Sequence, residues 1–305
     1  MILAAGLSPA WQQMLIFDSV EVGEVNRARE AHWCSSGKVL NVGLALHHLG
    51  GPHLTLAPVG GVSGECIAGE FATLGVQHRF VKSKKTTRVC TTILDRGASR
   101  TTEFVENASP AEPGELEEFV RAYEQVAPLA SRVVLSGSLP TETPRTFYRD
   151  LVKRTRGQVI LDVRGPELLE TLALHPFCVK PNREELGKTF DRELSSDSDL
   201  ERAIEEVLRL GAEWVVVSQG EGELWAGGGG AIHRFIPPTI EVVNPIGCGD
   251  CLAAGIAWAL EQGSEMLEAI RFGMGAAAEN AAMLLPSRLN LQRVRERMME
   301  VEMVG

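Results

Sequence analysis

Apolar runs recur along this chain with helical patterns between them, and that alternation leaves few folds open to it. Leu54–Gly61, Arg132–Ser138, Gln158–Asp162, Phe177–Asn182 and Trp214–Gly220 each begin apolar and end in polar residues or glycine. Helical patterns lie between them at Gly114–Ala127, Pro144–Thr155 and Asp199–Leu210. Strands that are apolar at successive residues must be covered on both faces. Their alternation with helices predicts the α/β class, with a parallel sheet between two helical layers. Ligands of such sheets sit beyond the carboxyl ends of the strands, where the polar residues of each run fall. The start, Met1-Ile2-Leu3-Ala4-Ala5, reads as one more buried strand and lacks the basic flank of a signal peptide.

Two regions break the rhythm. Residues 11–38 and 80–105 hold alternating runs such as Thr86–Leu94 and Arg100–Val105, which suit a small antiparallel sheet with one wet face. We read them as lid segments on a single domain spanning 1–305. Gly227–Gly230 reads as a hairpin tip. At 44% hydrophobic residues the chain can build a sizeable core. No apolar run approaches the ~20 residues that span a bilayer, so a cytoplasmic location is the default expectation. The net charge of −10 argues against nucleic acid and anionic membrane as partners. It leaves room for an anionic small substrate where arginines and lysines converge. Cys34, Cys66, Cys90, Cys178, Cys248 and Cys251 are spread through a chain too long to need disulfide staples. Cys248 and Cys251 form a C-x-x-C, but no second pair or nearby histidine completes a metal site.

The chemistry gathers in three places. Asn244-Pro245-Ile246-Gly247-Cys248-Gly249-Asp250 runs straight into a small-residue helical pattern. Glycines allow a turn that a Cβ would block, and the first helical N–H groups, lacking partners, favour an anion. Asp250 beside such a cradle can take a proton, which is what phosphoryl transfer to an alcohol requires. The same residues also read as a plain glycine turn capped by aspartate. Ser36-Gly37-Lys38-Val39-Leu40-Asn41 precedes another small-residue helix, and Gly37 and Asn41 can offer an N–H and an amide to a polyol. Lys180-Pro181-Asn182-Arg183-Glu184-Glu185 sets an amide and a carboxylate three apart at a strand end. That pair suits Mg²⁺ held through its waters, and it equally suits a helix capping box.

Further stretches fall in step with these: Gly23-Glu24-Val25-Asn26-Arg27-Ala28, Leu49-Gly50, Thr87-Arg88, Leu135-Ser136-Gly137-Ser138-Leu139-Pro140 and Val217-Ser218 through Gly220. In this order and spacing the chain resembles the PfkB, or ribokinase-like, family of carbohydrate kinases over nearly its whole length. Within the family it is similar to the hexose-phosphate branch of 1-phosphofructokinase, tagatose-6-phosphate kinase and the minor 6-phosphofructokinase. The resemblance implies a ribokinase-like three-layer α/β/α sandwich with a small antiparallel β lid. It implies an ATP- and Mg²⁺-dependent kinase of a sugar phosphate, and a homodimer joined through the lid. Asp250 then resembles the base, with the amides of Gly247, Cys248 and Gly249 as an anion hole. Asn182 and Glu185 resemble the Mg²⁺-organising pair. Gln12, Arg27, Gly37, Lys38, Asn41 and Arg88 resemble the acceptor site, with the two arginines reaching the sugar's own phosphate. Ser218, Gly220, Gly222 and Asn280 resemble the nucleotide site.

The chain also departs from the family pattern. Where the family has Asn-Pro-Ala-x-Asp on its first strand, this chain has Ser8-Pro9-Ala10-Trp11-Gln12. Gly-Gly-Lys-Gly becomes Ser36-Gly37-Lys38-Val39, the threonine before the anion hole becomes Pro245, and the second nucleotide-loop glycine shifts to Gly222. A Gln12 amide must set its NH₂ against an acceptor, so we expect weak activity on fructose 1-phosphate, fructose 6-phosphate and tagatose 6-phosphate. The alternatives are a kinase for another sugar or a nucleoside, and a sugar-phosphate sensor without turnover. A pure sensor needs neither Asp250 nor Glu185.

Overall fold

The computed structural model describes residues 1–304. Seven strands form the parallel core that the apolar runs predict: β1 (Ile2–Ala5), β4 (His53–Val59), β5 (His78–Lys82), β8 (Arg132–Ser136), β9 (Gln158–Asp162), β10 (Cys178–Val179) and β11 (Trp214–Val217). Their spatial order is β11-β10-β9-β8-β1-β4-β5. Three antiparallel strands, β12 (Leu224–Gly228), β13 (Ala231–Ile236) and β14 (Glu302–Val304), extend the β11 edge to a ten-stranded sheet. The turn between β12 and β13 is the expected glycine tip. β10 is shorter than its apolar run because Pro181 has no N–H for a ladder. Beyond it the chain keeps a single bridge, Asn182 to Ser218.

Strand periodicity sends alternate side chains to opposite layers. Leu3, Ala5, Val133, Leu135, Val159 and Leu161 pack under α3 (Glu115–Val126), α4 (Phe147–Val152), α5 (Pro166–Leu172), α6 (Arg183–Thr189) and α7 (Asp197–Leu210). Ile2, Ala4, Val134 and Ile160 pack under α1 (Lys38–Leu49), α8 (Cys248–Glu261), α9 (Met266–Ala281) and α10 (Leu291–Met299). Leu40 and Leu44 of α1 share a smaller cluster with Ile67 and Phe71 of α2 (Gly61–Leu74). This is the three-layer α/β/α arrangement.

The lid is a separate four-stranded sheet: β2 (Ala10–Phe17), β3 (Glu30–Ser36), β6 (Val89–Asp95) and β7 (Arg100–Val105). Its outer pairs, β2–β3 and β6–β7, are antiparallel, and its central pair, β2–β6, runs parallel. Residues 80–82 fall in the expected second lid segment, but they belong to β5 and pair with β4, so the lid resumes at Val89. Met14, Ile16, Cys34 and Leu94 form its buried face and pack against Leu284 and Leu285.

Small residues set how closely α8 and α9 approach. A Cβ built on Gly255 would stand 2.7 Å from the Gly273 Cα, and one on Gly273 would stand 2.7 Å from the Leu252 carbonyl oxygen. Helical Gly69 on α2, by contrast, meets nothing within 4 Å. Gly69→Ala should therefore stabilise the protein by roughly 0.5–1 kcal/mol through helix propensity alone. Gly255→Ala should destabilise it by about 1–3 kcal/mol through overpacking. Urea denaturation of the two variants checks the contrast, and equal effects would mean that α8 and α9 separate freely.

Candidate active site

Asp250 lies in the first turn of α8 and is buried. Gly247 precedes that helix with φ +85, a conformation that side-chain-bearing residues rarely adopt. The Cys248 amide makes only a long bond of 3.4 Å to the Pro245 carbonyl. Among the described residues, the amides of Gly249 and Asp250 find no backbone acceptor. The turn thus offers free N–H groups at a helix N-terminus, with Asp250 beside them.

Two buried asparagines hold this turn from behind, both through Ile246. Asn244 Oδ1 accepts from the Ile246 N–H at 3.1 Å, and Asn280 Nδ2 donates to the Ile246 carbonyl at 2.8 Å. Asn244 also donates to the Leu284 carbonyl at 2.8 Å, and Asn280 Oδ1 accepts from the Ser287 N–H at 2.6 Å. Ser287 is fully buried at φ +62, a non-glycine strain of about 1–3 kcal/mol that the surrounding bonds sustain. Asn280 was expected at the nucleotide. It is instead fully buried with both ends of its amide engaged by the chain, so it props the turn.

Asn41, in the first turn of α1, donates through Nδ2 to Asp250 Oδ2 at 2.7 Å. Its own Oδ1 is buried without a donor. Gly37 starts that helix at φ +84, and a Cβ there would lie 2.7 Å from the Ser8 carbonyl oxygen. Lys38 donates to Asp162 Oδ1 at 3.0 Å and to Glu185 Oε1 at 3.4 Å. Lys180 Nζ lies 3.3 Å from the same Asp162 oxygen, and a Cβ on Gly249 would meet that Nζ at 3.4 Å. Asp162 and Lys180 join the site residues that the sequence motifs mark. Their signal was available, since each is a polar residue that ends an apolar strand run.

This charge cluster sets the protonation of the site. Burial pushes the Asp162 carboxyl up, but Lys180 and Lys38 outweigh it and hold it below the usual carboxylate range. Burial opposes the charge on Lys38, yet Asp162, Glu185 and Asp250 together raise its pKa. At Asp250, burial and then the like charge of Asp162 push the carboxyl up to about 7, against the pull of Lys38, Asn41 and Lys180. Burial also lifts the Cys248 thiol to about 11 and the Cys251 thiol well above its ordinary value. Burial thus disfavours the thiolate at both positions, which argues against a redox C-x-x-C.

Asn182 and Glu185 form the capping box of α6. Asn182 Oδ1 accepts from the Glu185 N–H at 2.7 Å, and Glu185 Oε2 accepts from the Asn182 N–H at 3.1 Å. Only Glu185 Oε1 remains turned to the cluster. No three His, Cys, Asp or Glu side chains converge as a cation cage among the described residues. Ser218 follows β11, and Gly220 and Gly222 form the turn beyond it, closed by a Gly222 N–H bond to the Gln219 carbonyl at 3.0 Å. Gln12 is buried on the inner face of the lid, and its Nε2 donates to Thr92 Oγ1 at 2.7 Å. The donor expected to lack an acceptor therefore has one. Arg88 directs its guanidinium to the Pro9, Ser8 and Glu106 carbonyls at 3.3, 3.2 and 3.0 Å. Its fork is thus occupied by the backbone of the site's rim. Arg27 is exposed in the β2–β3 connection and makes no hydrogen bond or ion pair among the described residues.

Folding forces Asp250 to keep a proton that the unfolded chain gives up near pH 4. Because the folded pKa is the higher one, the contribution of this carboxyl to stability is fullest below about pH 4 and declines as pH rises toward 7. Asp250→Asn should therefore stabilise the protein at pH 8 by roughly 2–4 kcal/mol and change little at pH 4. Urea denaturation at both pH values reads this, and a gain of equal size at each would show that Asp250 ionises normally.

The model of the pfkB family of carbohydrate kinases matches residues 12–283. Phosphofructokinase-2 from Escherichia coli in complex with fructose-6-phosphate is 24% identical, with a TM-score of 0.88 over 98% of this chain and 99% of that one. A Thermotoga maritima protein described as a possible 1-phosphofructokinase is 21% identical, with a TM-score of 0.89 over 100% and 99%. Ribokinase from Thermotoga maritima is 19% identical, with a TM-score of 0.78 over 98% and 99%. At these identities the likeness is one of fold, and it runs end to end. The family match takes in both the lid and the Gly247–Asp250 turn, and by it this chain belongs to the pfkB family of carbohydrate kinases.

Proposed function

We propose that this kinase transfers the γ-phosphoryl group of ATP to a hydroxyl of a phosphorylated ketohexose, with Asp250 as the general base. The observation that carries the reading is the Asp250 carboxyl itself. It is buried at a helix N-terminus, oriented by Asn41, and poised near neutrality. A base with its pKa near the working pH accepts a hydroxyl proton while remaining largely ionised. The free amides of the turn, with Cys248 and Lys180 alongside, receive the negative oxygens of the transferring group. The orphaned Asn41 Oδ1 suits a hydroxyl donor from the acceptor. Gln12, its donor satisfied by Thr92, keeps its amide oxygen without a hydrogen bond among the described residues.

We assign the nucleotide to the turn holding Ser218, Gly220 and Gly222; its bridge to Asn182, which joins it to the charge cluster, supports this. Glu185 Oε1 fits a hydrated Mg²⁺ that keeps its waters, and bound there Mg²⁺ would neutralise phosphate charge. Arg27 has an uncommitted fork for the acceptor's own phosphate. The fructose-6-phosphate bound by the Escherichia coli neighbour supports a phosphorylated acceptor. Trp33, Phe104 and Val105 expose apolar surface on the lid, which supports a homodimer through it.

A panel of ketohexose phosphates, free sugars and nucleosides with coupled ADP detection tests the reading. A sugar phosphate should give the highest kcat/KM, and a better free sugar or nucleoside would sink the acceptor assignment. Asp250→Asn should lower kcat by about 10²–10⁴ while ATP still binds. The wild-type rate should climb as pH rises through about 7 and then level. Full turnover in the asparagine variant would exclude Asp250 as the base.

The Gln12 contact makes its own prediction. Thr92→Val strands the buried Gln12 donor, at a cost of about 1–3 kcal/mol. KM for the sugar phosphate should rise roughly tenfold, with KM for ATP unchanged. An equal rise in both would mean that the Gln12–Thr92 pair only holds the lid together.

A further inference from the structure

The cations of the site are nearly all committed. Lys38 and Lys180 both lie against Asp162, at 3.0 and 3.3 Å. Among the arginines of the strand-end loops, Arg88 donates to three carbonyls. Arg183 donates to the Leu194 and Ser196 carbonyls and to Gln219 Oε1. Arg164 follows β9 two residues after Asp162. Its guanidinium makes no hydrogen bond among the described residues, and its nearest charged partner is Glu185 Oε1 at 3.8 Å. The side chain is 58% exposed.

Its backbone is well fixed. Val163 on one side is buried, and the Gly165 N–H on the other donates to Thr189 Oγ1 at 2.9 Å. Thr189 belongs to α6, the helix that carries Glu185. The root of Arg164 is therefore held at a set place beside Glu185, while its fork is free to move. Lys38, Lys180 and Arg164 face Asp162, Glu185 and Asp250, so the site has little surplus positive charge for an entering polyphosphate. A guanidinium held by one long contact can leave it for phosphate oxygens, which its parallel N–H groups match.

We propose that Arg164 binds the phosphate chain of the nucleotide, an inference that rests on the kinase reading above. The nucleotide is favoured over the acceptor by position. Glu185 caps α6 together with Asn182, which bridges to Ser218 at the end of β11, whereas Gln12 and Arg27 belong to the lid.

Calorimetric titration of ATP and of ADP, each with MgCl₂ and without any sugar, tests this directly. Arg164→Gln should weaken ATP about tenfold, and Arg164→Lys, which keeps the charge but loses the fork, by less. The glutamine variant should also show a shallower loss of ATP affinity with added KCl. Because the side chain is exposed, both variants should melt at the wild-type temperature. Steady-state kinetics should then show KM rising for ATP and holding within about twofold for the sugar phosphate. Unchanged ATP affinity in Arg164→Gln, or an equal rise in both KM values, would overturn the proposal and leave the kinase reading intact. Wild-type protein that binds neither nucleotide would overturn both.

Discussion

Everything in the site leans on one buried carboxylate and its two lysines. Asp162 is almost completely enclosed, and an unpaired charge there would cost several kcal/mol. Lys38 comes from the start of α1 and Lys180 from the end of β10, so the triad ties three separate parts of the chain at the carboxyl end of the sheet. It also sets the field at Asp250, since Asp162 raises that carboxyl's pKa while both lysines lower it. Losing either lysine would leave Asp162 under-compensated and shift the Asp250 carboxyl as well. Stability and reactivity are thus governed by the same ion cluster.

The parts of the fold that were legible in the sequence are those fixed by local pattern. Leu54–Val59, Arg132–Ser136, Gln158–Asp162 and Trp214–Val217 are strands because unbroken apolar runs need cover on both faces. The capping chemistry of Asn182 and Glu185 was likewise written in their three-residue spacing. What could not be read depends on distant partners. Gln12 finds its acceptor in Thr92, eighty positions away across the lid. Asn280 looks like a residue available to a ligand until folding brings Ile246 and Ser287 to either end of its amide. Residues 80–82 carry a strand pattern, but which sheet they join is decided by pairing with β4. β14 exists only because the chain returns to lie beside β13.

The Gly247–Asp250 turn, proposed above as an anion site, is ordered by the fold itself. Asn244 and Asn280 fix Ile246 through both its N–H and its carbonyl, and the Leu284–Ser287 segment supplies their other partners. That same segment receives the buried face of the lid through Leu284 and Leu285. The cost of ordering the turn, including the strained Ser287, is met during folding. Donors held in place in this way need no reorganisation when charge develops against them.

The contact between Gly255 and Gly273 has a consequence for how the molecule can move. The pairing leaves no space for even one added Cβ between α8 and α9, so the two helices have little room to tilt toward each other. The helix that carries Asp250 is therefore a fixed anvil. The four-stranded lid, by contrast, meets this part of the domain only through Met14, Ile16, Cys34 and Leu94 packed on Leu284 and Leu285. On the reading proposed above, Asp250 would stay in place while the lid moves relative to it.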